Sequence, residues 1–130
     1  MTNMIKKKQV VHVDDDENIL SITRMALELV GDFEVVQFGS ACEALEQISD
    51  LMPDLFLLDV MMPEMSGPEF LANIRKRPEF KDTPAVFMTA KAESQVQNSP
   101  DFGDALACIT KPFDPLTLHE KLNALLCQSP

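Results

Sequence analysis

At 130 residues and 14.5 kDa the chain has the length of one ordinary domain and too little for two. A fold of this size hides roughly two thirds of the surface its unfolded chain exposes, so neither disulfides nor a structural metal is needed to hold it. Twenty-one acidic against eleven basic side chains give a formal charge of −10, a surface that repels phosphate backbones and anionic lipid, so direct nucleic-acid or membrane binding is not expected.

Cys42, Cys108 and Cys127 are an odd set without CxxC spacing, which argues against a disulfide framework or zinc site and for a reducing, cytoplasmic setting. Lys6 to Lys8 read as a solvated end, because the apolar stretch behind them meets Asp14 too early for a signal peptide. No window approaches the roughly 18 apolar residues of a membrane-spanning helix.

In chain order the pattern is strand then helix, five times over. The first strand is expected over Gln9 to Asp14. The helix behind it aligns Ile19, Ile22, Ala26 and Leu29 on one face before Gly31. A second strand spans Phe33 to Phe38, and Ser40 with Glu43 forms the S-x-x-E box of a helix reaching Leu51. Asp54 to Asp59 is an almost unbroken apolar run ending in a carboxylate, as in a strand buried on both faces. A loop from Val60 to Gly67 precedes a helix over Pro68 to Lys76, and a fourth strand covers Ala85 to Met88. A short fourth helix is expected over Ala92 to Asn98, and a fifth strand over Leu106 to Thr110. Asp114-Pro115 then opens a last helix with Leu118, Leu122 and Leu125 on one face. Such alternation implies an α/β fold with a parallel sheet covered on both sides, whose ligands sit beyond the carboxyl ends of the strands.

Asp14, Asp15 and Asp16 end the first strand, Asp59 the third and Thr89 the fourth, while Lys111 follows the fifth. Carboxylates converging on one rim repel each other unless a cation intervenes, and a hard ion with oxygen ligands such as Mg2+ suits them. Thr89 is then placed to donate to a phosphoryl oxygen and Lys111 to pair with its charge, with Asp59 as the nucleophile that becomes an aspartyl phosphate.

Four segments, Val11 to Asp16, Leu58 to Gly67, Thr89-Ala90 and Lys111-Pro112-Phe113, resemble the receiver domain of two-component response regulators, over about Gln9 to Leu126. The resemblance implies a single receiver domain, a flavodoxin-like three-layer sandwich with a five-stranded parallel sheet in the order 2-1-3-4-5. It implies phosphorylation of Asp59 by a histidine kinase or histidine phosphotransfer protein. Mg2+ would be held by Asp15, Asp59 and the Met61 carbonyl, with Asp14 acting through water, and phosphoryl oxygens by the Met61 and Ala90 amides. The Lys111-Pro112 bond would be cis. Such domains phosphorylate and dephosphorylate themselves without turning over a separate substrate, and signal to a downstream protein. The family often carries an aromatic switch residue where this chain has Cys108. With no further domain after Pro130, the expectation is a stand-alone receiver or a piece of a longer protein.

Competing readings are weaker. The three aspartates could form only a helix cap. A calcium loop fits Asp14, Asp16 and Asn18 but meets Ile19 where it needs Gly and Met25 where it needs Glu. An aspartyl phosphohydrolase of the haloacid-dehalogenase type needs a second acid at Met61, and a flavodoxin needs a Ser/Thr/Gly-rich phosphate loop where this chain places acids. A receiver-fold adaptor that signals without phosphorylation is the remaining alternative. His12 reads as a core or sheet residue, His119 as an outer helix residue, and Cys108 as a small packing residue on the last strand.

Overall fold

A computed structural model describes residues 7–90 and 104–128. Within them β1 (Lys8–Val13), β2 (Phe33–Phe38), β3 (Leu55–Asp59), β4 (Ala85–Ala90) and β5 (Ala107–Lys111) form one sheet in the order β2-β1-β3-β4-β5. Every pairing is parallel. This is the flavodoxin-like α/β arrangement expected from the sequence, and the strand ends fall within one or two residues of the expected ones. The expected helix over Ala92 to Asn98 lies outside the described residues.

Period-two alternation divides the core between two faces. Val11, Val13, Phe56, Leu58 and Phe87 face one way, packed by Ala41, Ala44 and Ile48 of the segment begun by α2 (Ala41–Gln47) and by Phe70 and Ile74 of α3 (Gly67–Ile74). Val10, Val35, Leu55, Leu57 and Val86 face the other, against Ala26 and Leu27 behind α1 (Glu17–Arg24) and Leu118 and Leu122 of α4 (Leu118–Gln128). The β3 residues are buried throughout, as two covered faces require.

Local chemistry sets the helix starts. Asp16 Oδ1 accepts from the N–H groups of Asn18 at 2.9 Å and Ile19 at 3.4 Å, so the capping reading of the aspartate cluster holds for this residue. Ser40 Oγ accepts from Glu43 N–H at 3.1 Å. A second S-x-x-E box, not singled out from the sequence, starts α3: Glu69 N–H donates to Ser66 Oγ and Ser66 N–H to Glu69 Oε1.

Four expectations are corrected. Leu29 is 79% exposed and Ile22 37%, while Thr23, Ala26 and Leu27 are buried. The covered face is Ile19, Thr23, Ala26 and Leu27, one step round from the expected one, and the helix ends in a wider winding over Met25–Val30, closed by Gly31 N–H to Ala26 O, in which Leu29 points to solvent. The last helix begins at Leu118; the preceding residues form a turn in which Asp114 accepts from Leu116 and Thr117. His119 is half-buried, and its Cβ would lie 2.5 Å from a Cβ added at Gly31, so this glycine permits the close approach of α4 to the chain after α1. Lys7 and Lys8 are exposed, as the solvated reading expects, but Lys8 belongs to β1 and Lys7 Nζ lies 3.7 Å from Asp32, so these two do not fray.

Candidate functional site

Register brings the acids together. Val13 pairs with Leu58 across β1 and β3, which places Asp14 beside Asp59 at the carboxyl edge of the sheet. Lys111 closes β5 beside Ala90 and reaches across β4 to the acids. Its Nζ lies 2.8 Å from Asp59 Oδ1 and 3.3 Å from Asp14 Oδ2. One carboxylate oxygen each from Asp14, Asp15 and Asp59 lies within 4.8 Å of the others. Asp14 and Asp59 are buried, whereas Asp15 is exposed at the mouth.

The backbone fixes Asp59 from both sides. Val60 N–H donates to Met88 O and Gly67 N–H to Val60 O, both at 3.0 Å, folding the loop back over the end of β3. A Cβ at Gly67 would collide with the Asp59 carbonyl oxygen, so only glycine fits. Glu64 adopts φ 70 within this loop. On the other side of the pocket, the Lys111-Pro112 peptide is cis, as expected.

Three acids against one ammonium displace the titrations. Burial pushes Asp59 up from the ordinary 3.8 to about 6, the hydrogen bond from Lys111 opposing it and the charge of Asp14 adding to it. Burial likewise raises Asp14, against the Asp16 N–H bond to its Oδ1 at 2.9 Å and the Lys111 charge. For Lys111 burial acts to lower the pKa, but the hydrogen bond to Asp59 and the nearby carboxylate charges outweigh it, and the net direction is upward.

Of the residues expected at the site, Asp14, Asp15, Asp59 and Lys111 converge. Thr89 is buried at the end of β4, and the Ala90 backbone pairs with Lys111. The Met61 side chain is 65% exposed and soft, so a hard-cation ligand from this residue would come from its main chain. Cys108 is half-buried against the α2/α3 core, as the packing reading held. The oxygen donors of the acid cluster fit a Mg2+ ion: hard ligands, close together and open to water on the Asp15 side.

His12 is the residue whose environment was missed. It is a buried sheet residue, as read, but its Nε2 points toward Asp14 Oδ2, 3.9 Å away. The signal was in the sequence, since residues two apart in a strand share a face. Burial lowers its pKa to about 3, with the charges of Lys111 and Arg24 acting in the same direction, so the imidazole is neutral.

A doubly wound parallel sheet with acids and one lysine at its carboxyl edge is the arrangement of the receiver class of signalling domains. The chain belongs to the response regulator receiver domain family, whose profile matches residues 10–123, and is thus a receiver domain of two-component signalling. It is 33% identical over 118 residues to response regulator Rre1 of Synechocystis sp., covering 89% of this chain and 50% of that protein. The chain spans about half the length of the curated relatives it matches first. Among solved structures, chemotaxis protein CheY4 of Vibrio cholerae superposes with a TM-score of 0.84 at 28% identity, over 92% of this chain and 99% of that one. Response regulator TrrA of Thermotoga maritima, solved in complex with Mg2+ and a beryllium fluoride, gives 0.78 at 30% identity over 91% and 98%. Mg2+ binding at the acidic pocket is a property of the family. No helix of the described residues is long and apolar enough to cross a membrane.

Proposed function

We propose that Asp59 is the phosphoacceptor of a two-component phosphorelay in the cytoplasm, charged by a histidine kinase or a histidine phosphotransfer protein, with output through contact with a downstream protein. The observation that carries this reading is Lys111 Nζ at 2.8 Å from Asp59 Oδ1, beside two further carboxylates. An Asp59 oxygen attacks phosphorus, the O–P bond forms as the P–N bond to the donor histidine breaks, and the imidazole leaves. With its pKa at about 6, Asp59 is mostly ionised at neutral pH and available as the nucleophile. Lys111 offsets the charge that gathers on the transferring group, and Thr89 with the Met61 and Ala90 amides is assigned to its oxygens. Asp14, Asp15, Asp59 and the Met61 carbonyl would hold Mg2+, Asp14 through water, and the ion would supply charge neutralisation at the phosphoryl oxygens. Attack by water later breaks the acyl phosphate, releasing inorganic phosphate and restoring the carboxylate.

Cys108, at the family's usual aromatic position, carries no ring, so a switch that swings an aromatic inward is not available at that position; this favours an adaptor that signals without phosphorylation as the second reading. Acetyl phosphate with Mg2+ separates the two. One phosphoryl mass is expected on the wild type and none on Asp59→Asn; equal labelling of both proteins refutes the assignment, and labelling of neither favours the adaptor.

A further inference from the structure

Behind the acid pocket a row of polar side chains runs under α1. Gln37 is the register partner of His12 across β1 and β2. Its Nε2 donates to the Leu20 carbonyl oxygen at 2.7 Å, and its Oε1 accepts from Arg24 Nε at 3.2 Å. A carbonyl only accepts and a guanidinium only donates, so the amide has one possible orientation. That orientation presents Gln37 Nε2 to His12 Nδ1 at 3.1 Å. The His12 Nδ1 therefore holds a lone pair, and the ring hydrogen of this neutral imidazole sits on Nε2, on the Asp14 side. Arg24 is itself held by Glu28 Oε2 at 3.1 Å, which also accepts from Val35 N–H.

Among the described residues the Nε2–H has no hydrogen-bond partner, although it is completely buried. A buried donor left unsatisfied is costly and calls for a reason. Asp14 Oδ2 stands 3.9 Å away, about 1 Å beyond a hydrogen bond, and is held instead by Lys111 at 3.3 Å. Lys111 makes its shorter contact, 2.8 Å, to Asp59. Asp14 thus has two candidate donors for one oxygen, while its Oδ1 stays fixed by Asp16 N–H.

Resting on the phosphoacceptor reading above, we propose that His12 is a positioning residue that takes over Asp14 Oδ2 when Lys111 turns to a phosphoryl group on Asp59. Without the hand-over, Asp14 Oδ2 would lose the ammonium that now holds it, with the buried Nε2–H left unused 3.9 Å away. Gln37 serves this hand-over by fixing the tautomer, and through Arg24 it ties the pocket to the surface of α1.

Beryllofluoride with Mg2+, a phosphoryl mimic, tests this in protein labelled with 15N. In the metal-free state the imidazole signals should show hydrogen on Nε2 and a bare Nδ1. On loading, the Nε2–H proton should move downfield as it gains a carboxylate acceptor. His12→Phe and Gln37→Leu should each weaken beryllofluoride loading about ten-fold more than they weaken Mg2+ binding without beryllofluoride. A merely structural role would depress both affinities alike. An unmoved Nε2–H in protein whose bound fluorine resonances prove it loaded, or equal losses in the two affinities, overturns the hand-over and leaves the phosphoacceptor reading intact. Where His12→Phe does not fold, the wild-type proton shift and Gln37→Leu decide. Absence of bound fluorine resonances in the wild type defeats both readings together.

Discussion

Asp59→Asn should stabilise the metal-free protein, and by an amount that grows with pH. Asp59 binds its proton more tightly folded than unfolded, its pKa standing at about 6 against an ordinary 3.8. A carboxyl raised in this way contributes stability that is fully present below about pH 4 and is lost as pH rises through about 6. The displacement corresponds to about 3 kcal/mol at most, and water at the Asp15 side of the pocket screens part of it, leaving about 1–2 kcal/mol. Because Asp14 is raised for the same reason, it adds to the stability the wild type loses as pH rises above the ordinary carboxylate range. Urea denaturation in EDTA reads this directly: wild type and variant nearly equal at about pH 4.5, the variant ahead by about 1–2 kcal/mol at about pH 8. Millimolar Mg2+ should reverse the order, since a cation that binds only the folded wild-type pocket stabilises it. A difference that is flat or shrinks with pH would refute the claim that burial of charge, rather than some packing effect of the amide, dominates this carboxylate.

Lys111→Met removes the ammonium shared by Asp14 and Asp59; in EDTA at neutral pH it should cost about 2–3 kcal/mol, less than a fully enclosed pair because the lysine side chain is 20% exposed. The loss should shrink toward about pH 5 as the orphaned carboxylates protonate, and a pH-independent loss in urea titrations counts against it. Gly67→Ala should cost about 1–3 kcal/mol, because the new Cβ meets the Asp59 carbonyl and the Phe87 ring at 3.1 Å. It should also slow phosphoryl labelling by displacing the end of β3; an unchanged melting temperature and labelling rate would show that the loop adjusts freely.

The strands and the acid pocket were legible because both depend on features that sequence carries directly. β3 is an apolar run, as a strand covered on both faces requires, and its terminal Asp59 then falls at the sheet edge where Asp14 and Lys111 also fall. The apolar face of the first helix was misread for an equally physical reason. Ile22 and Leu29 align at 3.6 residues per turn, but so do Ile19, Thr23, Ala26 and Leu27, and it is this neighbouring face that the sheet covers, with Leu29 in the i→i+5 winding that ends in Gly31 N–H to Ala26 O. No residue type in Met25–Val30 marks that winding, which packs against β2 and α4, a contact that local pattern does not contain. His119 failed likewise: its burial depends on how closely α4 approaches Gly31, a distance that helical periodicity does not contain.

The same distinction runs through the pocket itself. Which charges meet follows from strand register, so Asp14, Asp59 and Lys111 could be placed from the sequence. How they are held follows from close approaches made by small or unusual backbone positions. Gly67 reads locally as a turn residue, yet its function in the fold is to let the loop lie on the Asp59 carbonyl, and the loop accepts a positive φ at Glu64 to get there. His12 reads as a poor strand residue, yet its partners Gln37 and Asp14 give its two ring nitrogens different surroundings. An apolar side chain at position 12 would serve the sheet as well and would remove a buried donor without an acceptor. That a histidine stands there, with its tautomer fixed from behind and its hydrogen facing the acid, ties it to the pocket and not to the core.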